Sequence, residues 1–318
     1  MRQSETRRLG TQVFLAELRE RVTTSDREPN FWARLPVSLR AIISGLLIGL
    51  VAANVWPVLV VTLGVPLAAV AEATFLALYV WWCGGGGPPR PTQSSRAVAF
   101  RRGALSPRQW VWGLLAALFF ATTVHASIVV LFRLVPFPAE LFRRGYDSSF
   151  IPSLPLKWLW VVVAAISAGI CEETGFRGYM QRPIELRNGP RIAIFISSLF
   201  FCVIHLTKGW AVIGMVPIVF GAGLLLGLLA WSSRSLIPAM VAHVVMDIGL
   251  FAYWWTGIAG TFSARPISET GVDRSFLLAC AVFVTALLVV LAAMSRLRKI
   301  NPLEVAQSLA AGAIVPGP

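Results

Sequence analysis

The stretch WLWVVVAAISAGICEETGFRGYM, residues 158–180, decides the fold class of this chain. Residues 158–170 are almost entirely apolar, and about 20 such residues form a helix long enough to cross the hydrocarbon of a bilayer. Two adjacent carboxylates, Glu172 and Glu173, and the guanidinium of Arg177 follow directly. A charged group at the centre of a membrane costs about 2.5–3.5 kcal/mol. These side chains must therefore be paired, or must line a wet cavity.

The composition of the whole chain is that of a membrane protein. Of its 318 residues, 56% are hydrophobic and only 14% are charged. The mean hydropathy of +0.71 is above that of soluble domains. The sequence therefore predicts an all-α, polytopic membrane protein with about eight transmembrane helices, of which the fifth is short for a complete span. The apolar segments are 38–60, 62–82, 110–134, 157–180, 191–206, 211–232, 236–255 and 276–294.

These segments divide the chain into four parts. Residues 1–37 are predicted to be an N-terminal tail, either solvated or carrying a short interfacial amphipathic helix. Residues 38–109 hold two transmembrane helices and a Gly/Pro-rich linker, which is predicted to be flexible between residues 83 and 96. Residues 110–294 form a six-helix core, and residues 295–318 a tail without regular structure. The four cysteines, which show no CxxC spacing, are predicted to be small buried residues.

The net charge of +13 comes from basic residues that lie mostly between the apolar segments. With eight spans, the basic groups of both tails, of the 84–109 connection and of the segment after the fourth span all fall on one side. The positive-inside rule then predicts that both termini are cytoplasmic. The predicted partner is the bilayer, and nothing indicates nucleic-acid binding. The use of 25 arginines and three lysines is typical of GC-rich bacteria, so we expect a bacterial inner (cytoplasmic) membrane.

Few ionisable side chains lie within the apolar segments. Glu173 and Arg177 are four residues apart, so they share a helical face and can form an ion pair. Glu172 is rotated by about 100° from Glu173 and points elsewhere. His243 and Asp247 are also four residues apart on one face. Glu172, His205 and the pair His243/Asp247 lie in three different apolar segments, at a comparable predicted depth of roughly 10–20 Å in the membrane. The remaining ionisable side chains are Glu72, His125 and His205.

This set of side chains suits the activation of water. A carboxylate beside a histidine in a partly dry cavity can act as a general base. A second histidine with a polar partner can stabilise the oxyanion of a tetrahedral intermediate. The constellation predicts hydrolysis of an acyl bond, most simply a peptide bond, inside the membrane. Glu72 and His125 are left out of this site: Glu72 is expected to snorkel or to meet a partner, and His125 to bond Thr122 or Thr123.

Three motifs resemble those of the CAAX-protease and bacteriocin-processing family, which includes the type II CAAX prenyl endopeptidases. EETGFR at residues 172–177 resembles the family's EExxxR motif. FCVIH at 201–205 resembles its FxxxH motif, and HVVMD at 243–247 its HxxxN/D motif. The motifs occur in the family's order and on successive predicted helices. The resemblance covers residues 155–255.

The resemblance implies a metal-free glutamate endopeptidase without a cofactor. Glu172 would activate water with the help of His205, and His243 and Asp247 would hold the oxyanion. The ion pair of the first motif would orient the site. Asp247 can donate a hydrogen bond only when it is protonated; if it is ionised, it orients His243 instead. The implied substrate is a membrane-associated protein or peptide, prenylated in the best-known relatives and cut near its C-terminus or in a leader.

Other interpretations of the same residues stay open. Two histidines and a carboxylate can hold zinc with a water in the open position, although the chain has no HExxH motif. A non-cutting immunity or regulatory membrane protein would use the same fold to bind a partner. A transporter could use Glu172 and His205 as a proton relay, but the sequence lacks the internal repeats typical of that class.

Overall fold

The computed structural model describes residues 31–143, 146–206 and 214–300, and within them it contains helices and no β-strand. The predicted interfacial segment of the N-terminal tail and the C-terminal tail from residue 301 lie outside the described residues. The chain divides into a small unit, residues 1–40, and a large unit, residues 41–318. In the small unit, the described residues hold one short helix, Phe31–Arg34, and the start of the first long helix.

The described residues contain eight apolar helices that correspond one to one to the apolar segments predicted from the sequence. Seven of them are long and apolar enough to cross a membrane, and the remaining one, α5, is a shorter apolar helix. The all-α transmembrane fold is thereby confirmed. The helices are α1 (Val37–Leu63), α2 (Val65–Cys83), α3 (Pro107–Leu134), α4 (Leu154–Asn188), α5 (Pro190–His205), α6 (Gly214–Ser233), α7 (Ile237–Trp255) and α8 (Arg274–Lys299).

The helix ends have ordinary local causes. Gly189 separates α4 from α5 with a φ of +84°, a conformation that glycine adopts without steric cost, and Pro190 then opens α5. Ser106 and Gln109 form a reciprocal capping box at the start of α3. Asp273 caps α8 and forms an ion pair with Arg133 of α3, which holds the pKa of the Asp273 carboxyl well below its usual range.

The largest core lies between α3, α6, α7 and α8. Phe120, Leu226, Ala239 and Val290 contribute to it and are completely buried. Many large apolar side chains nevertheless point outward from the outer helices, as Val61 of α1 does with 85% of its surface exposed. A bundle that is apolar both inside and on its outer surface is suited to lipid rather than to water.

A close backbone crossing fixes α4 against α1. Gly45 and Gly49, in the sequence GLLIG, face Gly175 of α4. A Cβ atom on Gly175 would lie 2.5 Å from the carbonyl oxygen of Gly45, so no larger residue fits there. Small residues four apart are the usual device for such close packing of membrane helices. The crossing holds the EETGFR segment at a fixed depth and rotation.

Two long helices change to π-helical geometry at their motifs, within the EETGFR motif in α4 and just after the HVVMD motif in α7. α4 is α-helical to Glu173 and π-helical over Thr174–Gln181. α7 is α-helical to Gly249 and π-helical over Leu250–Trp255. π-helical turns are rare and are often found at functional sites. Regular α-helices were expected here, and the sequence pattern does not predict these π-helical segments.

The linker predicted to be flexible contains regular structure. A short 3₁₀ turn, Arg90–Thr92, leads into a helix, Gln93–Ala99. The buried guanidinium of Arg96 donates to the carbonyl oxygens of Gly86 and Gly87 at 2.7 and 2.8 Å. Glycine and proline content alone suggested a loop without fixed structure, but one arginine organises the loop by bonding its carbonyl groups.

Candidate active site

A cavity of about 70 Å³ lies between α3, α4, α5, α6 and α7, and we call it the central cavity. It is lined by all four side chains predicted to be catalytic, namely Glu172, His205, His243 and Asp247. The other lining residues are apolar: Val124, Ala168, Phe201, Met215, Ile218, Val219, Ala222, Met246, Leu250, Phe251 and Trp255. One water needs at least about 10–15 Å³ of such space. The central cavity is thus large enough for a reacting water.

Glu172 is half-buried at the wall of this cavity. Its Oε2 atom is buried and has no hydrogen-bond partner among the described residues. Leaving a buried acceptor unsatisfied typically costs about 1–3 kcal/mol, and native structures rarely do so without a reason. This oxygen is therefore available to a water or a substrate in the cavity.

Glu173, one residue further along α4, has the opposite environment. Its side chain is completely buried, and its Oε1 atom accepts hydrogen bonds from two groups. Nη1 of Arg177 donates at 2.8 Å, so the ion pair expected from the spacing is formed. Nδ1 of His243 donates at 2.8 Å as well. The bond to His243 was not predicted, because spacing within one helix carries no information on contacts with another helix.

Arg177 is held on three sides. Besides its bond to Glu173, its Nη2 atom donates to the carbonyl oxygen of Gly223 in α6 at 3.1 Å. The guanidinium carbon lies 4.5 Å from the centroid of the Phe201 ring, a cation–π distance. The same ring lies 4.6 Å from His205 and 5.8 Å from His243, centroid to centroid. Phe201 thus packs against the arginine and both histidines.

The hydrogen bonds fix the protonation of one nitrogen in each histidine of the cavity. His243 Nδ1 faces a carboxylate and His205 Nδ1 lies 2.7 Å from the carbonyl oxygen of Phe201. Both partners only accept hydrogen bonds, so both Nδ1 atoms carry a proton. Nε2 of His243 lies 3.5 Å from Oδ2 of Asp247. Nε2 of His243 and Oδ2 of Asp247 can share one further proton, which is carried either by the imidazole or by the carboxyl group.

Glu72 lies outside the central cavity. It is completely buried, and its Oε1 atom accepts a hydrogen bond of 2.6 Å from the hydroxyl of Ser167 in α4. Of the two expected outcomes, snorkelling or a partner, the structure shows the partner. Glu72 therefore joins α2 to α4 and does not line the cavity.

His125 also lies outside the cavity, and the expected bond to a neighbouring threonine is not formed. Thr122 and Thr123 instead donate to carbonyl oxygens one turn earlier in α3. Trp254 Nε1 donates to Nδ1 of His125 at 3.2 Å, and Nε2 lies 3.2 Å from the carbonyl oxygen of Met246. The imidazole thus serves to join α3 to α7. The expectation was wrong because the threonine hydroxyls are already satisfied by carbonyl oxygens of their own helix.

Within residues 31–143, 146–206 and 214–300, no three His, Cys, Asp or Glu side chains come together as a group that could hold a metal ion. All four cysteines are free; Cys83, Cys171 and Cys202 are buried, and Cys280 is half-buried.

The comparisons with known proteins point to the same segment of the chain. A family model described as Rce1-like, type II CAAX prenyl endopeptidase, matches residues 154–249, about a third of the chain. No curated protein and no solved structure matches the chain significantly. The matched segment contains all three motifs and runs from the first residue of α4 to Gly249 of α7. Residues 154–249 are thus similar to this family of endopeptidases, and seven helices in the described part of the chain are long and apolar enough to cross a membrane.

Proposed function

We propose that this protein is an intramembrane glutamate endopeptidase that cuts a membrane-associated protein or peptide near its C-terminus or in its leader. The family points to a protease. The observation that carries the glutamate mechanism is the unpartnered, buried Oε2 atom of Glu172, in a cavity shared with two histidines and an aspartate.

The first step uses Glu172 as a general base. Its carboxylate takes a proton from a water in the central cavity, and the water oxygen attacks the carbonyl carbon of the scissile peptide. His205 helps to position this water. Because Nδ1 of His205 donates to the Phe201 carbonyl, its Nε2 atom carries the lone pair of the neutral ring and can accept a hydrogen bond from the water.

The second step stabilises the oxyanion of the tetrahedral intermediate. Either Nε2 of His243 donates to this oxygen, with the ring protonated on both nitrogens, or Asp247 donates when the shared proton is on its carboxyl group. Glu173 holds the His243 ring in place through Nδ1, and Arg177 neutralises Glu173. These two residues position the histidine without contacting the substrate.

The third step releases the products. The oxyanion collapses to a carboxylic acid and the C–N bond breaks. The protonated Glu172 gives its proton to the leaving amine, and the new acid ionises by losing its own proton to solvent. One water is consumed, one carboxylate and one amine are formed, and Glu172 returns to its ionised state.

The substrate class follows from the location of the site. Most residues of the cavity lie on helices long enough to span a membrane, and the others on the shorter apolar helix α5, so the substrate has to reach the bilayer. We propose a membrane-associated peptide, leader or C-terminal sorting segment, with a prenylated C-terminus as the second possibility. The proposed location is a bacterial inner membrane, with both termini in the cytoplasm.

The decisive experiment is a peptide-release assay in liposomes with the purified wild-type protein, Glu172→Gln and Glu72→Gln. Glu72→Gln is the matched control, because it also changes a carboxylate buried in the membrane but lies outside the cavity. The substrates are a fluorogenic farnesyl-CAAX peptide and a library of membrane-tethered leaders and C-termini. Each is tested with and without a zinc chelator.

Cleavage that resists the chelator, is lost in Glu172→Gln and persists in Glu72→Gln would support the proposal, and the substrate that is cut would name its class. Equal inactivity of all three proteins across the library would favour a non-cutting membrane partner. Loss of wild-type cleavage with the chelator would contradict the metal-free mechanism and favour a zinc protease.

A further inference from the structure

A second pocket, of about 500 Å³, lies at the C-terminal end of α4, and we call it the arginine pocket. Four arginines line it, together with a glutamate and a tryptophan: Arg101, Arg102, Arg182, Glu185, Trp231 and Arg234. Along α4, Arg182 follows Glu172 by ten residues, or about 15 Å. The arginine pocket is therefore separate from the central cavity.

The pocket carries an excess of positive charge. Glu185 is its single lining carboxylate and is already engaged by Arg101 and by Arg182, the latter at 2.7 Å. Arg102 and Arg234 are exposed. The guanidinium of Arg234 has no hydrogen-bond or ion-pair partner within the described part of the chain. One carboxylate against four guanidinium groups leaves a site that attracts an anion.

The backbone gives a second, independent sign of a specialised site. Among the described residues, two that are not glycine have a positive φ: Arg101 at +51° and Arg234 at +58°. This conformation is unfavourable for a residue with a Cβ atom, and glycine or asparagine usually occupies it. Both exceptions are arginines, and both line the same pocket. Strained backbone of this kind is often retained at ligand-binding sites.

The surroundings of the pocket are those of a membrane interface. Its walls come from the connection after α2, the end of α4 and the end of α6, which meet at one end of the bundle. Arg298, near the end of α8, stacks on the Trp231 ring at 4.5 Å. Val98, also in the wall, has half of its surface exposed. Tryptophan and arginine beside exposed apolar surface are typical of the headgroup region.

We propose that the arginine pocket binds the phosphate group of an anionic phospholipid headgroup. Arginine forks match phosphate oxygens in geometry and charge, and basic pockets between membrane helices are suited to such headgroups. The volume lies in the range of about 300–1,000 Å³ found for small-molecule sites, which favours a headgroup over bare phosphate. This inference is independent of the proposed protease activity.

The test is a titration of the purified full-length protein in detergent with three probes: short-chain phosphatidylglycerol, short-chain phosphatidylcholine and inorganic phosphate. Bound lipid is counted by native mass spectrometry, and the midpoint of thermal unfolding is followed in parallel. The variants are Arg102→Ala/Arg234→Ala and Arg234→Gly. The control is Arg187→Ala, which removes an exposed arginine from the same end of α4 outside the pocket.

We expect phosphatidylglycerol to bind at least about tenfold more tightly than phosphatidylcholine, because both carry the phosphate but the four arginines repel the choline cation. The double variant should lose this preference and Arg187→Ala should keep it. Arg234→Gly relieves the backbone strain, so it should be as stable as wild type without lipid and should still lose most of the stabilisation by phosphatidylglycerol.

Three results would overturn the proposal. The first is equal binding of both lipids, and the second is an equal loss in Arg187→Ala and the double variant. The third is binding of inorganic phosphate that depends on Arg102 and Arg234 while phosphatidylglycerol does not bind, which would assign the pocket to a free anion.

Discussion

Glu72 and Glu172 are both glutamates inside membrane helices of one bundle, yet their surroundings differ. Glu72 is completely buried between α2 and α4, and a serine hydroxyl donates to one of its oxygens. Each glutamate keeps a buried Oε2 atom without a partner within the described residues, but only Glu172 reaches the wall of a cavity that also holds two histidines. The first arrangement holds two helices together, whereas the second leaves an acceptor available for a ligand.

The histidines show the same contrast. Both ring nitrogens of His125 are engaged by other groups of the protein, a tryptophan N–H and a backbone carbonyl. His205 and His243 each use Nδ1 for a contact within the protein and line the cavity with the rest of the ring. Residue type and depth in the membrane therefore do not distinguish a structural group from a reactive one. Access to the central cavity does, because Glu172, His205 and His243 line it and Glu72 and His125 do not.

The strongest test of this comparison is the pair Glu172→Gln and Glu72→Gln. We expect Glu172→Gln to lower the rate of peptide cleavage by roughly 10²–10⁴-fold, the contribution of a positioned general base. Glu72→Gln should stay within a few-fold of wild type, because glutamine can still accept the bond from Ser167. Rates are to be measured with the same liposome-bound substrate. Equal losses in both variants would show that the two environments do not differ in function.

A second test concerns the neutralised carboxylate Glu173. Arg177→Met removes its cationic partner, and breaking a buried ion pair from one side destabilises a protein by about 3–5 kcal/mol. The free energy of unfolding in mixed detergent measures this loss. The double variant Glu173→Gln/Arg177→Met removes both charges, so it should recover part of the stability while remaining inactive, because His243 then lacks its charged acceptor. Recovery of activity as well would contradict the positioning role of Glu173.

A third test compares two histidines. His243→Gln removes the proposed donor to the oxyanion, and the loss of one such donor lowers kcat by about 10²–10³-fold. His125→Gln should leave kcat within a few-fold of wild type and act on stability alone. Kinetics with the cleaved substrate give kcat and KM for both variants. A loss confined to KM in His243→Gln would assign this residue to substrate binding instead of the transition state.

The smallest expected effect belongs to Ser167→Ala. It removes the bond to Glu72, which contributes about 1 kcal/mol to stability, and it leaves the central cavity unchanged. The thermal midpoint should fall by a few degrees while the cleavage rate stays the same. A marked loss of rate would mean that Glu72 is coupled to the cavity, and the contrast with Glu172 would weaken.

The eight helices and the catalytic candidates around the cavity could be predicted from the sequence. Apolar runs of about 20 residues identify membrane helices because a bilayer leaves the backbone few other ways to satisfy its polar groups. Ionisable side chains inside such runs are costly, so the few present stand out. The roles of Glu172, His205, His243 and Asp247 remain predictions, although the structure places all four at one cavity.

Features that depend on contacts between helices were not predicted. The bond between Glu173 and His243 joins α4 to α7, and no spacing along the chain encodes it. The two glycines of GLLIG at 45–49 are typical of a close helix crossing, but the crossing with Gly175 was not predicted from them. The π-helical segments of α4 and α7 were not predicted either, and the arginine pocket forms where one connection meets the ends of two helices. Tertiary packing decides such features, and local pattern does not.

The short helix α5 has a consequence for the bilayer itself. Its 16 residues span about 24 Å, less than the hydrocarbon thickness of about 30 Å, and its last residue is His205. A helix that is too short is accommodated by local thinning of the lipid. Such thinning beside the cavity would shorten the path of water from the aqueous phase to the proposed reaction. For the proposed endopeptidase, hydrophobic mismatch would thereby become a means of hydration, and its rate would depend on membrane thickness.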